Sequence, residues 1–154
     1  MTSASLKASA VQSLQLIKSE LPANFPIPIV IVQHMPPVFT KRFAEQLVKK
    51  WQIWVEEAVT GGVVEAGVAW MAPGDYHMVL ERHGLVVQLR TNQEPPENSC
   101  RPAVDVLFRS TAKIYGAGVL AVVLTKMGQD GLHGCEDIRE VGGQIIVQDR
   151  ASTV

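Results

Sequence analysis

The sequence has little excess charge of either sign and no long apolar run. Its 14 Lys and Arg residues against 15 Asp and Glu residues give a formal net charge of -1, so nothing suggests nucleic acid or an anionic membrane as a partner. No apolar run approaches the roughly 20 residues of a transmembrane helix. The first residues also lack the charged and apolar succession of a signal peptide, and we therefore expect a cytoplasmic protein without direct membrane insertion.

Cysteine and histidine are also scarce, with two and four residues respectively. None of them shows the clustered spacing with carboxylates that zinc requires, so the sequence predicts no metal and no cofactor. Cys100 and Cys135 could pair in principle, but neither has an evident activating partner in the sequence, which favours buried thiols over nucleophiles. The fingerprint Gly-x-Gly-x-x-Gly is absent, which counts against a nucleotide-binding protein.

Two continuous apolar runs each lead into a polar loop. Ile27 to Val32 precedes Gln33 to Pro37, and Leu120 to Leu124 precedes Thr125 to Gly131. Apolar runs rich in β-branched residues are typical of strands covered on both faces, hence of a parallel sheet flanked by helices. Such sheets bind ligands just beyond the carboxyl ends of their strands. The two loops are therefore the expected site.

The rest of the chain alternates helices with strands. Helical spacing predicts four helices, which cover Val11 to Leu21, Phe39 to Trp51, Val104 to Ile114 and Leu132 to Val141. Between the second and third helix we expect antiparallel strands at Val68 to Met71, Met78 to Leu80 and Leu85 to Val87, and Gln144 to Val147 as a last strand. The fold class is thus α/β, a doubly wound and mostly parallel sheet flanked by helices, with an antiparallel β-hairpin in the middle. With 154 residues and no linker, we expect a single domain over residues 1–154.

His34 and Asp130 lie in the two loops. A histidine with an aspartate is two thirds of a hydrolytic triad, in which the carboxylate accepts one ring N–H and fixes the tautomer of the base. Each residue also has a structural interpretation: His34 could satisfy backbone near the helix that follows Pro36, and Asp130 could cap the helix that begins near Leu132. Arg101 and Asp105 are spaced as a solvated pair on one helix face. Asp75 and His77 are expected to be structural.

Five segments in this order resemble the catalytic domain of CheB-type protein-glutamate methylesterases of bacterial chemotaxis: QHMPPVFTKRFAEQL, APGDYHM, RPAVDVLFRS, LTKMGQDG and QDRAST. They extend over most of the chain, from about Leu21 to Val154. The resemblance implies a serine esterase that hydrolyses glutamate methyl esters, and deamidates glutamines, on the cytoplasmic helical region of methyl-accepting chemotaxis receptors. It implies His34 as general base and Asp130 as its partner, and it also suggests a separate receiver domain as a partner.

The segment that should carry the nucleophile departs from the family. Family members have an apolar strand that ends in a Gly-Ala-Ser-Thr-Gly-Gly turn, whereas this chain begins MTSASLKASAVQSLQL and has no glycine before Gly61. Ser9 is the closest match to the serine. The backbone N–H of Met127 is the candidate oxyanion donor, but Lys126 replaces a family glycine beside it. From the resemblance we expect a domain incomplete at both ends, with low or absent activity.

Two other function classes remain open. One is a catalytically impaired relative that only binds chemoreceptors or signalling partners. The other is an unrelated hydrolase or nucleotide-binding α/β protein. The order of the residues separates these possibilities, because common α/β-hydrolases place the histidine after the aspartate, whereas His34 precedes Asp130. The methylesterase order is serine, histidine, aspartate, which only an N-terminal serine can complete here.

Overall fold

The computed structural model of the protein describes residues 21–124 and 128–148. The strands are β1 (Ile29–Ile31), β2 (Trp54–Glu57), β3 (Val68–Met71), β4 (His77–His83), β5 (Val86–Asn92), β6 (Leu120–Val123) and β7 (Gln144–Val147). The helices are α1 (Pro37–Val48), α2 (Val104–Tyr115) and α3 (Leu132–Glu140), and a short 3₁₀ helix covers Gly116–Gly118. Within the described residues, no helix is long and apolar enough to cross a membrane.

The strands form three sheets. One is parallel with the order β1-β3-β2, one is the antiparallel pair β4-β5, and one is the parallel pair β6-β7. The predicted α/β class, with parallel strands, helices and an antiparallel hairpin, is confirmed. The hairpin turns at Gly84 and Leu85, between the paired residues His83 and Val86. Gly84 has a φ of 62°, and glycine at the first central position is typical of a type II′ turn.

Helix α1 packs its apolar face on the three-stranded sheet. Pro37 occupies the first turn of this helix, where a missing N–H has no helical partner to lose and the fixed φ favours helix formation. Phe43 and Leu47 are buried against Val55 and Met71. This packing holds the end of β1 and the start of α1 together, and so fixes the loop between them.

Helix α2 lies between two further clusters of buried side chains. Leu107 packs with the strands β4 and β5, whereas Ala112 packs with Ile138 of α3 and Ala121 of β6. The start of α2 therefore faces the loop between β6 and α3, which carries Asp130.

Two expectations for the strands need correction. Val68–Met71 is parallel to both of its neighbours and not antiparallel. Trp54–Glu57 is a strand that we did not predict. Only Val55 of its four residues is buried, so the apolar run that marks the other strands is missing. The helix predicted from Val11 lies outside the described residues except for Leu21. This residue packs against the buried side chains between α1 and the three-stranded sheet.

Candidate active site

His34 and Asp130 form a hydrogen bond at the ends of two strands. His34 follows β1, Asp130 lies in the loop after β6, and Nε2 of the imidazole is 2.7 Å from Oδ2 of the carboxylate. The expected contact is confirmed. The His34 side chain keeps 18% of its exposure while the Asp130 side chain has none. With Nε2 bonded to the carboxylate, Nδ1 is the ring nitrogen left to accept a proton from another group.

Gly74 packs closely against the end of the loop that carries His34. The N–H of Gly74 donates to Oγ1 of Thr40 in α1 at 3.1 Å, and Thr40 in turn donates to Oε2 of Glu57 at 2.6 Å. A Cβ on Gly74 would lie 2.5 Å from Cα of Pro37, closer than such atoms approach in proteins. Glycine at position 74 is therefore needed for this close approach of two backbones.

Asp130 also caps the start of α2. Its Oδ2 accepts from the N–H of Val104 at 2.7 Å, and its Oδ1 accepts from the N–H of Asp105 at 3.1 Å. The residue at the N-cap position is Ala103, which has no side-chain acceptor, so Asp130 supplies one from another loop. The expected structural role was an N-cap of α3, the helix of its own loop, and the structure shows a cap of α2 instead.

The environment of Asp130 favours its ionised form. Burial opposes the charge, but the hydrogen bonds from His34, from the N–H groups of Val104 and Asp105 and from the Asn98 amide outweigh it and hold the pKa of Asp130 below its ordinary value. The carboxylate is therefore charged at neutral pH, and a charged carboxylate stabilises an imidazolium beside it.

Asp105 is the reciprocal cap. It is fully buried, and its Oδ1 accepts from the N–H groups of Gly131 at 3.1 Å and Gly134 at 2.6 Å, at the start of α3. The loop before α3 thus supplies the carboxylate that caps α2, and the first turn of α2 supplies the carboxylate that caps α3. The predicted pairing of Arg101 with Asp105 is wrong, because α2 begins only at Val104; Arg101 instead binds Asp75, with Nη2 2.7 Å from Oδ1.

Asn98 joins the two carboxylates. Its Nδ2 donates to Oδ2 of Asp105 at 2.7 Å and to Oδ1 of Asp130 at 3.2 Å. Asn98 and Ser99 have φ values of 53° and 60°, a backbone region that asparagine tolerates better than most residues. The sequence did contain a signal for Asn98, an asparagine in a proline-rich loop just before a helix, but we made no prediction from it.

Cys100 also faces the site. A ligand atom from each of His34, Cys100 and Asp130 lies within 4.8 Å of the other two. Burial, and next the negative charge of Asp130, raise the pKa of the Cys100 thiol. Neither effect activates the thiol as a nucleophile, in line with the sequence, which showed no activating partner for Cys100; the thiol is partly buried. The sequence did not show its nearness to His34 and Asp130, because both are distant along the chain.

The other histidine of the matched segments is structural, as expected. His77 is buried; its Nδ1 accepts from the N–H of Ala103 at 3.2 Å and its Nε2 donates to the carbonyl of Pro95 at 3.0 Å. These two bonds fix the segment that leads into α2. Ser9, Lys126 and Met127, the remaining candidate residues, lie outside the described residues.

An apolar cavity of about 460 Å³ lies between β1 and β6. Its walls include Ile29–Ile31 and Leu120–Val123. In the described part of the chain, β1 pairs with β3 alone and β6 with β7 alone. Each of these two strands therefore has one edge without a described partner, and the cavity opens beside the strands that lead to His34 and Asp130.

Comparisons with known proteins place the chain in one family. A family model described as CheB methylesterase matches residues 5–154. A protein of Trichodesmium erythraeum named protein-glutamate methylesterase/protein-glutamine glutaminase is 61% identical over 143 residues, which are 93% of this chain and 41% of that protein. A Rhodospirillum rubrum relative, protein-glutamate methylesterase/protein-glutamine glutaminase 1, is 52% identical over 82% of this chain and 33% of its own length.

A solved structure shares the fold. The crystal structure of the Thermotoga maritima CheB methylesterase catalytic domain superimposes with a TM-score of 0.90 at 40% identity and covers 94% of this chain and 76% of that chain. The chain thus spans less than half the length of the two curated relatives but three quarters of a solved catalytic domain.

Proposed function

Because the chain belongs to the CheB methylesterase family, we propose that residues 1–154 form one catalytic domain that hydrolyses methyl esters of glutamyl side chains. The same domain would deamidate glutamines, as the names of its relatives state for those proteins. Its substrates would be methyl-accepting chemotaxis receptors, attacked on their cytoplasmic helical region. We also propose a cytoplasmic location and a separate receiver domain as a regulatory partner.

The observation that carries the proposal is the 2.7 Å contact of His34 Nε2 with Asp130 Oδ2. A neutral imidazole that donates from Nε2 to a carboxylate has an unprotonated Nδ1, which is the form that a general base requires. The carboxylate is fixed by two backbone N–H groups of α2. It therefore orients the imidazole without having to move during the reaction.

The proposed reaction is an acyl transfer to serine. The hydroxyl attacks the γ-carbonyl carbon of the ester while Nδ1 of His34 takes its proton. Collapse of the tetrahedral intermediate breaks the bond to the methoxy group, which leaves as methanol with that proton. Water then attacks the acyl-enzyme, again with His34 as base, and releases the glutamate and the serine. A glutamine would follow the same steps with ammonia as the leaving group.

The nucleophile and the oxyanion donor are proposed from the family resemblance. Ser9 is our candidate serine from the family spacing, in a segment that has no glycine before Gly61. The backbone N–H of Met127 is our candidate oxyanion donor.

Methanol release from a methylated receptor fragment tests the proposal. We expect His34→Ala to lower the rate at least about 1,000-fold, because loss of the base removes activation of the nucleophile. His133→Ala is the matched control, since this side chain is 65% exposed on α3, and it should leave the rate unchanged. Equal rates for His34→Ala and the unchanged chain would refute the proposed base.

The nucleophile is tested separately. Ser9→Ala should abolish methanol release as His34→Ala does. Release that survives Ser9→Ala but not His34→Ala would move the nucleophile to another serine, with Ser5 next. No release from the unchanged chain would support instead a relative that binds receptors without turning them over.

A further inference from the structure

We propose that His34, Cys100 and Asp130 form a binding site for a thiophilic divalent cation such as Zn²⁺, and that the bound cation switches the catalytic pair off. The three donors are an imidazole, a thiol and a carboxylate, the groups that Zn²⁺ takes as ligands. They are far apart in the sequence, and the structure brings their ligand atoms within 4.8 Å of one another. The sequence predicted no metal because the possible ligands are not clustered along the chain. In the folded structure three of them are clustered.

The distances suit such a cation after small movements. Zn²⁺ binds nitrogen and oxygen at roughly 2.0 to 2.2 Å and sulfur at about 2.3 Å, so tetrahedral donors lie roughly 3.3 to 3.8 Å apart. The nitrogen and oxygen of the present pair are 2.7 Å apart, and the ligand atoms of all three residues lie within 4.8 Å of one another. These distances lie within about 1 Å of the tetrahedral range, so side-chain movements of that size would complete the site.

Two of the three ligands are held from outside the site. The Asp130 carboxylate is oriented by the Asn98 amide and by the N–H of Val104, and such partners of a ligand raise metal affinity. Cys100 is fixed by a pair of backbone bonds with Glu97, at 2.9 and 3.1 Å. Three protein ligands leave a fourth position, which water can occupy.

The cation and the catalytic state exclude each other. In the catalytic state Nε2 carries a proton, which it donates to Asp130. A metal ion on Nε2 needs the lone pair of that nitrogen, so the proton of the neutral imidazole moves to Nδ1. Nδ1 can then no longer accept a proton from a serine. The thiol of Cys100 releases its proton to solvent on binding. Inhibition therefore rests on the proposed function, but binding does not.

Calorimetry with Zn²⁺ on the full chain tests the site without an activity assay. We expect one Zn²⁺ per chain, and an affinity at least about 100-fold lower in Cys100→Ser, because the loss even of a residue behind a ligand costs 10- to 100-fold. Cys135→Ser and His133→Gln are matched controls that should bind as the unchanged chain does. Co²⁺ should give a thiolate-to-metal charge-transfer absorption that Cys100→Ser lacks.

His34→Gln provides a second variant, which should weaken Zn²⁺ binding as Cys100→Ser does. Far-ultraviolet circular dichroism verifies the fold of each protein. The proposal is overturned by an unchanged chain that binds no Zn²⁺, by equal affinity in Cys100→Ser, or by loss of binding in Cys135→Ser or His133→Gln. None of these outcomes depends on methanol release, so failure of the metal site and failure of the esterase are distinguishable.

Discussion

At the scale of single residues, the site depends on two carboxylates, each of which caps the helix that begins next to the other along the chain. Asp130 binds the first N–H groups of α2 while Asp105 binds those at the start of α3. Both are buried, where a polar group is stable only with enough hydrogen bonds to replace those to water. The position of the His34 pair therefore depends in turn on Asp105, whose carboxylate holds the start of α3.

Asp105→Asn tests this dependence. The amide keeps one acceptor for Gly134 but presents an N–H where the Asn98 amide already donates, so we expect a loss of about 2 to 4 kcal/mol in unfolding free energy. Asp137→Asn is the matched control on α3, because that side chain is 40% exposed; it should change stability by less than about 0.5 kcal/mol. Urea unfolding measures both. Equal midpoints would contradict a structural role for Asp105.

The sequence revealed residues that directly follow a buried strand and missed those that fold back from elsewhere. His34 and Asp130 were predictable because parallel strands bring their carboxyl ends to one edge. Asn98, Cys100 and Asp105 were not, since each of them reaches Asp130 or Gly131 across 25 or more residues of chain. The spacing of Arg101 and Asp105 was also misread as a pair on one helix face, because Arg101 precedes the first residue of α2, Val104.

At the scale of elements, the loop that carries His34 is positioned by a backbone contact. Gly74→Ala would push a Cβ to 2.5 Å from the Pro37 backbone, which cannot rotate away as a side chain could. We expect a loss of about 1 to 3 kcal/mol, as for overpacked sites, and slower methanol release because the displaced loop includes His34. Gly118→Ala is the control, since nothing lies within 4 Å of its added Cβ.

Thermal unfolding of the two glycine variants measures the effect on stability, and methanol release measures the effect on the reaction. A lower midpoint for Gly74→Ala and an unchanged one for Gly118→Ala would support the contact. An unchanged midpoint for Gly74→Ala would show that the loop yields without cost, and the geometry of His34 would then need another support.

The elements differ in how far the sequence predicted them. Helical spacing gave α1, α2 and α3 to within a few residues because each buries one face. Periodicity failed for β2, where Trp54 is exposed and only Val55 is buried. It failed also for the direction of β3, because a strand of four residues has no signal for the direction of its partners, which long connections set.

At the scale of the whole molecule, Asp130 links α2, the β6 loop and the His34 loop, and its charge should make stability depend on pH. Its pKa is lower in the folded state than in the unfolded chain. Its contribution is therefore complete above the unfolded value, about 3.9, and is lost as the pH falls through the lower folded value. Acid should loosen all three segments together.

Denaturant unfolding of the chain and of Asp130→Asn, from about pH 6 to about pH 3, measures this contribution. We expect a constant difference of about 2 to 4 kcal/mol near neutral pH, from the hydrogen bonds that the amide cannot accept. The difference should shrink on acidification. A difference that grows as the pH falls would have the wrong sign and would exclude a lowered pKa for Asp130.

The double attachment of Asp130 also bears on how this site can decay during evolution. Selection for folding alone would preserve Asp130, because α2 needs its carboxylate whether or not any ester is hydrolysed. His34, with one hydrogen bond among the described residues, has no comparable structural duty. In a lineage released from its reaction, position 34 should therefore drift before position 130.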